Sequence, residues 1–66
     1  MKDFYIHMSD GKMFLFRASN MKIVLDKIGE AKLTKNGFLQ VRIPEIFKYV
    51  TINVGEITYI EEEDDW

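Results

Sequence analysis

The 66-residue chain has no cysteine, one histidine, one tryptophan, one proline and no long apolar run. Without cysteine, it can form neither a disulfide framework nor a cysteine-ligated metal site. With His7 as the single histidine, metal sites built from several histidines and most catalytic triads are excluded as well. A membrane span needs about 20 consecutive apolar residues, and the runs here are far shorter. No basic segment leads into an apolar one, so we expect a cytoplasmic protein that is neither secreted nor membrane-bound.

Basic residues are missing from the last part of the chain. All nine lysines and arginines lie in residues 1–54 with five acids, which gives this part a net charge of +4. Residues 55–66 hold the other six acids and no base. Because a block of like charge stays hydrated, we expect one domain over residues 1–60 and an acidic C-terminal tail over 61–66. The tail, which either aids solubility or binds a basic surface of a partner or of this chain, consists of Glu61, Glu62, Glu63, Asp64, Asp65 and Trp66.

Two apolar runs near the start predict a β-hairpin. Residues 4–8 and 13–16 are strand-like, and Asp10-Gly11 between them is a strong hairpin signal because the turn needs positive φ. A two-residue loop at Asp10-Gly11 sets a register in which four rings share one face of the hairpin. These rings are Tyr5, His7, Phe14 and Phe16. A small monomer rarely exposes such an apolar patch, so we expect this face to form an interface.

A short helix follows the hairpin. Ser19-Asn20 offers N-cap chemistry, and Gly29 suits the residue after a helix end, so a helix is predicted over about 20–28. Its apolar stripe at helical spacing consists of Met21, Val24, Leu25 and Ile28. Because Ile23-Val24-Leu25 is rich in β-forming residues, a strand is the alternative.

The remaining sequence predicts strands. Asn36-Gly37 indicates a second hairpin, and Pro44 cannot donate a hydrogen bond within a sheet, so it ends a strand. We expect these four strands at 31–35, 38–43, 51–54 and 57–61. The predicted order β-β-α-β-β-β-β corresponds to an α+β domain with a small antiparallel sheet or a half-open barrel.

Three segments in this order resemble the LytTR class of DNA-binding β domains. The first contains Asp10-Gly11-Lys12 and Arg17-Ala18-Ser19, and the second is the helix. The third comprises Phe38-Leu39-Gln40-Val41, Ile52-Asn53-Val54 and Ile57-Thr58-Tyr59-Ile60, an ending also similar to FlbD-like flagellar proteins and Sm-like barrels. The family's first hairpin and its His-Arg-Ser stretch have no counterpart here. The resemblance therefore implies a truncated LytTR-like DNA-binding domain, with phosphate contacts by Arg17, Lys35 and Arg42.

Catalysis is not expected, because no nucleophile, base and acid are brought together by the pattern. His7 is predicted in mid-strand opposite Phe14, with no carboxylate on its face, so we interpret it as a packed or interface residue. Ser9 and Ser19 fit turn and cap positions. The glycines mark turns or caps instead of a phosphate-binding loop, and the acidic tail lacks the spacing of a metal-binding loop. We therefore expect no cofactor and no metal.

Two binding functions remain. The first is a non-catalytic protein–protein interaction module that forms a homodimer through the aromatic face and binds a host or cellular protein with its acidic tail. Small size, many lysines and an acidic end are typical of phage or mobile-element accessory proteins, including inhibitors of host enzymes. The second is binding of single-stranded nucleic acid, in which the rings stack on bases and the tail occupies the basic groove until displaced. The apolar patch favours the first.

Overall fold

One helix and a five-stranded antiparallel sheet make up the computed structural model, which describes residues 1–34 and 36–63. The elements are β1 (Lys2–Met8), β2 (Met13–Ala18), α1 (Met21–Thr34), β3 (Phe38–Arg42), β4 (Tyr49–Asn53), a 3-10 turn (Val54–Glu56) and β5 (Ile57–Glu62). The sheet order is β4-β3-β2-β1-β5, so β2 is central and β4 and β5 are the edges. The α+β class is confirmed. The predicted element order, with six strands, and the half-open barrel are wrong in detail.

Helix α1 begins where predicted and ends later. The side-chain Oδ1 of Asn20 accepts a hydrogen bond from the backbone N–H of Ile23 at 3.0 Å, which confirms the N-cap. The helix passes through Gly29 and continues to Thr34, with buried Ala31 extending its inner stripe. A glycine inside a helix costs only about 1 kcal/mol, less than the packing gained beyond it. The predicted strand over 31–35 is therefore wrong for residues 31–34.

The Asn36-Gly37 pair ends the helix instead of closing a hairpin. Both residues have positive φ, 54° and 84°, and the Gly37 N–H donates to the Ala31 carbonyl at 2.8 Å. Since left-handed residues serve both helix ends and hairpin loops, the dipeptide alone does not distinguish the two. The chain turns here from α1 into β3.

The first hairpin forms, but its loop has three residues. Ser9, Asp10 and Gly11 connect the strands, and the Met8 N–H donates to the Lys12 carbonyl at 2.8 Å to close the loop. Gly11 has a φ of 89°, the left-handed conformation that the last position of a three-residue hairpin loop requires. The predicted two-residue loop is therefore wrong by one residue.

This shift divides the four rings that were predicted to share a face. Tyr5 pairs with Leu15, and Phe4 pairs with Phe16. Phe16 consequently packs against buried Phe4, and Phe14 packs against the buried cluster that contains Ile6. Tyr5 and His7 point to the opposite side of the sheet. The common face of Tyr5, His7, Phe14 and Phe16 is wrong, because a slip of one residue reverses every side chain of a strand.

The core lies between α1 and one side of the sheet, which we call the covered face. Its two buried clusters are Phe4, Ala18 and Val24, and Ile6, Val41 and Ile52. Leu25, which was predicted on the inner stripe, is exposed. Within the described part of the chain, the one helix is neither long nor apolar enough to cross a membrane. Because α1 packs on one side only, the other side of the sheet is the place to look for a binding site.

Candidate interaction face

The side of the sheet that points away from α1, which we call the open face, is the candidate functional site. Side chains alternate along a strand, so every second residue of the five strands contributes to it. A central row crosses the whole sheet, each member paired with the next: Tyr49, Arg42, Leu15, Tyr5 and Glu61. Leu15 is only 9% exposed, so the face has an apolar centre.

Two arginines occupy one half of the open face. Arg17 on β2 and Arg42 on β3 line a hollow of about 220 Å³, together with Gln40 and Tyr49. The Arg42 guanidinium lies 5.4 Å from the centroid of the Phe47 ring. None of the ion pairs within residues 1–34 and 36–63 involves Arg42, although its charge helps to lower the pKa of Asp3, which lines the same hollow.

Asp3 fixes the position of Arg17. The Arg17 Nε donates a hydrogen bond to the Asp3 Oδ1 at 2.9 Å. This bond holds the pKa of Asp3 below its ordinary value of 3.8, and Asp3 in turn raises the pKa of Arg17. Both groups are therefore charged at neutral pH, and the guanidinium keeps further N–H donors for a ligand.

Carboxylates occupy the other half of the open face. The Glu61 Oε1 lies 2.6 Å from the His7 Nε2, and the His7 ring stacks on Tyr59 with centroids 4.1 Å apart. The prediction that His7 faces Phe14 without a carboxylate neighbour is wrong, because β5 pairs with β1 and brings Glu61 beside it. Glu63 continues this half, since its N–H donates to the Asp3 carbonyl at 3.0 Å.

Tyr5 separates the two halves next to Leu15. Partial burial is the main reason that its pKa is raised above 10.0, and the negative charge of Glu63 adds to the effect. The phenol therefore stays protonated at neutral pH and can donate a hydrogen bond to a ligand.

Part of the predicted acidic tail belongs to the sheet. Glu61 and Glu62 are the last residues of β5, and their side chains lie on opposite faces of the sheet. The Lys2 Nζ is 3.3 Å from a Glu62 carboxylate oxygen. Asp64, Asp65 and Trp66 lie outside the described residues. Partner binding by Glu61, Glu62, Glu63, Asp64, Asp65 and Trp66 stays a prediction.

Sequence reasoning missed several exposed rings. Tyr49 and Tyr59 are 63% and 55% exposed near the two edges of the open face, and Phe47 is 93% exposed in the β3–β4 loop. Tyr59 and Glu61 share a face as predicted, whereas a bulge puts Ile57 on the covered face. The alternation within β5 predicted that Tyr59 shares a face with Glu61, but it did not show which strand β5 pairs with.

The predicted phosphate contacts are partly brought together. Arg17 and Arg42 line the same hollow, and Lys35 lies outside the described residues. Among residues 1–34 and 36–63, no group of three histidine, aspartate or glutamate side chains is placed to hold a metal ion.

Comparisons with protein-family models, with curated proteins and with solved structures find no match to this chain. The resemblance to LytTR, FlbD-like and Sm-like domains therefore stays a prediction. Function has to be argued from the chemistry of the open face.

Proposed function

We propose that the chain is a non-catalytic binding module that recognises a protein through the open face of its sheet. The observation that carries this proposal is the make-up of that face. Leu15 and Tyr5 form an apolar centre, and exposed rings, arginines and carboxylates surround it. Aromatic residues and arginine are enriched where proteins bind one another, and surrounding charges fix the orientation of the partner.

The residues in this proposal differ from the patch predicted from sequence. Tyr5 and His7 remain, but Phe14 and Phe16 pack on the covered face and contribute to folding instead. Tyr49, Tyr59 and Arg42 are the new members, and the list of contact residues is Tyr5, His7, Leu15, Arg42, Tyr49 and Tyr59.

Photo-crosslinking from single positions tests the proposal. We expect p-benzoyl-phenylalanine in place of Tyr49 or Tyr59 to give discrete protein adducts when the full chain is expressed in cells. Leu33 is the matched control, because it is 87% exposed on α1 and lies away from the open face. The proposal is overturned if Leu33 gives the same adducts, or if neither tyrosine position gives any.

The acidic residues 61–66 are a second part of the proposal, as the segment that contacts a basic host or cellular protein in the manner of a phage accessory protein or inhibitor. Glu61 supports it, because its side chain is 60% exposed at the edge of the open face. Replacing Asp64 and Asp65 by asparagine should lower the yield of adducts with such a protein. An unchanged yield would limit recognition to the sheet.

Single-stranded nucleic acid is the second candidate ligand. Arg17, Arg42 and Tyr49 around one hollow favour it, because basic side chains beside an aromatic ring hold phosphates and stack bases. Asp3 and Glu61 on the same face oppose it, since they repel phosphates. Fluorescence anisotropy with a labelled oligonucleotide at low salt, using the chain without residues 64–66, decides the question. Binding that Arg42→Gln weakens would support this function, and absence of binding would exclude it.

A further inference from the structure

We infer that the occupant of the open face is a second copy of this chain, related to the first by a two-fold axis. This inference rests on the proposed function of the face. Arginines stand on the β2–β3 half, and carboxylates extend over the β1–β5 half. A ligand of one charge sign would be repelled by one half. A second copy carries both signs in the complementary arrangement.

The charges at the two ends of the central row cannot neutralise each other within one chain. Arg42 and Glu61 are three strand spacings apart, which is about 14 Å, with Leu15 and Tyr5 between them. Glu61 contacts His7 through Oε1, which leaves its second carboxylate oxygen for another donor. Each end of the row therefore presents a charge that a second molecule can pair with.

One symmetry operation matches the two halves. A two-fold axis parallel to the strands, above the gap between β1 and β2, exchanges β1 with β2 and β5 with β3. Arg42 then lies opposite the partner subunit's Glu61, and Leu15 lies opposite the partner subunit's Tyr5. Each contact occurs twice. The product is a sandwich of two sheets about 10 Å apart, with the helices on its outer surfaces.

The neighbouring rows agree with the same axis. Arg17 and Asp3 are directly paired within the hairpin, so Arg17 lies opposite the partner subunit's Asp3 and the four charges alternate in sign. On the other side of the central row, Met13 lies opposite the partner subunit's His7. In none of these three rows do two like charges of the described residues meet across the interface.

Charge exchange between positions 42 and 61 tests this arrangement, with the mass in solution measured by sedimentation equilibrium. We expect a wild-type dimer, and a loss of about tenfold or more in self-association for Arg42→Glu and for Glu61→Arg, because each brings like charges together twice. An equimolar mixture of the two variants should form a heterodimer, since both of its 42–61 contacts join opposite charges. The double variant Arg42→Glu/Glu61→Arg should dimerise again. Lys27→Glu on α1 is the matched control and should dimerise like wild type.

The outcomes separate this inference from the proposed function. A monomeric wild-type chain, single variants that associate like wild type, or a mixture without heterodimer overturns the dimer. Crosslinks from Tyr49 to a different protein would still support the open face as a recognition surface. If the chain neither dimerises nor gives such crosslinks, the proposed function is overturned too. Far-ultraviolet circular dichroism checks folding. If Arg42→Glu does not fold, Arg42→Gln removes the charge without adding repulsion and should weaken association by a smaller factor.

Discussion

The two faces of the sheet differ in what their side chains do, although the same strands build both. On the covered face, Phe4 and Ile6 have no exposed surface, and Phe4 packs with Val24 of α1 whereas Ile6 packs with Val41 and Ile52. One residue further along the same strand, Tyr5 and His7 are half-buried on the open face and lie beside charged groups. Because strand alternation separates the faces, adjacent positions are expected to affect different properties: stability on one side and binding on the other.

Truncating two adjacent rings of β1 should give the largest difference between the two faces. Phe4→Ala should lower the free energy of unfolding by about 3–5 kcal/mol, because it removes a fully buried ring and leaves a cavity. Tyr5→Ala, on the open face, should cost much less. Urea denaturation followed by circular dichroism, at a low and equal protein concentration, measures both. Equal losses would contradict the division between the faces.

The loop that sets the register of the two faces provides the next test. Gly11→Ala should lower the free energy of unfolding by about 1–2 kcal/mol, because only glycine adopts a φ of 89° without strain. Gly29→Ala inside α1 is the matched substitution, and it should raise stability by about 1 kcal/mol. A new Cβ meets no atom within 4 Å at either glycine, so the opposite signs isolate the backbone effect. Changes of the same sign would contradict this reading.

The cap of α1 carries a smaller effect. Asn20→Ala should cost about 1 kcal/mol, because the Ile23 N–H loses its side-chain acceptor at the helix start. Ser19→Ala, one residue earlier, is the control and should change the free energy of unfolding less. Thermal or urea denaturation of the two variants tests whether Asn20 alone caps the helix that closes the covered face.

Features set by one residue could be predicted from the sequence, and features set by tertiary pairing could not. Asp10-Gly11 correctly indicated a hairpin, and Asn20 a helix start. The same signals did not give the loop length or the fate of Asn36-Gly37, because those depend on what packs against the neighbouring segments. Because the predicted loop was one residue too short, the prediction placed every side chain of β2 on the wrong face relative to β1.

The candidate site was even less predictable than the fold. The contact between His7 and Glu61 joins residues 54 positions apart, through a pairing of β1 with β5 that no local spacing encodes. Arg42 lies beside Leu15 only because β3 pairs with β2 across the helix connection, and Tyr49 in turn pairs with Arg42. The residue types therefore indicated that an aromatic and charged surface exists, but the order of the strands decided which residues form it.

The ion pair of Asp3 and Arg17 should have the smallest effect of all, and its sign can be worked out. Arg17 lowers the pKa of Asp3 in the folded chain below 3.8, so the folded state binds this proton less readily than the unfolded state. The stability that the pair contributes is fully present above pH 3.8 and is lost as the pH falls through the folded-state pKa. It should stay below about 1 kcal/mol, because the pair is partly exposed. The difference in unfolding free energy between wild type and Asp3→Asn should therefore shrink as the pH falls from roughly 4 to roughly 2. In an Arg17→Gln background the difference should shrink less in acid, because Arg17 is the main group that lowers the pKa of Asp3. A difference that shrinks as much as in wild type would mean that another group, such as Arg42, lowers this pKa.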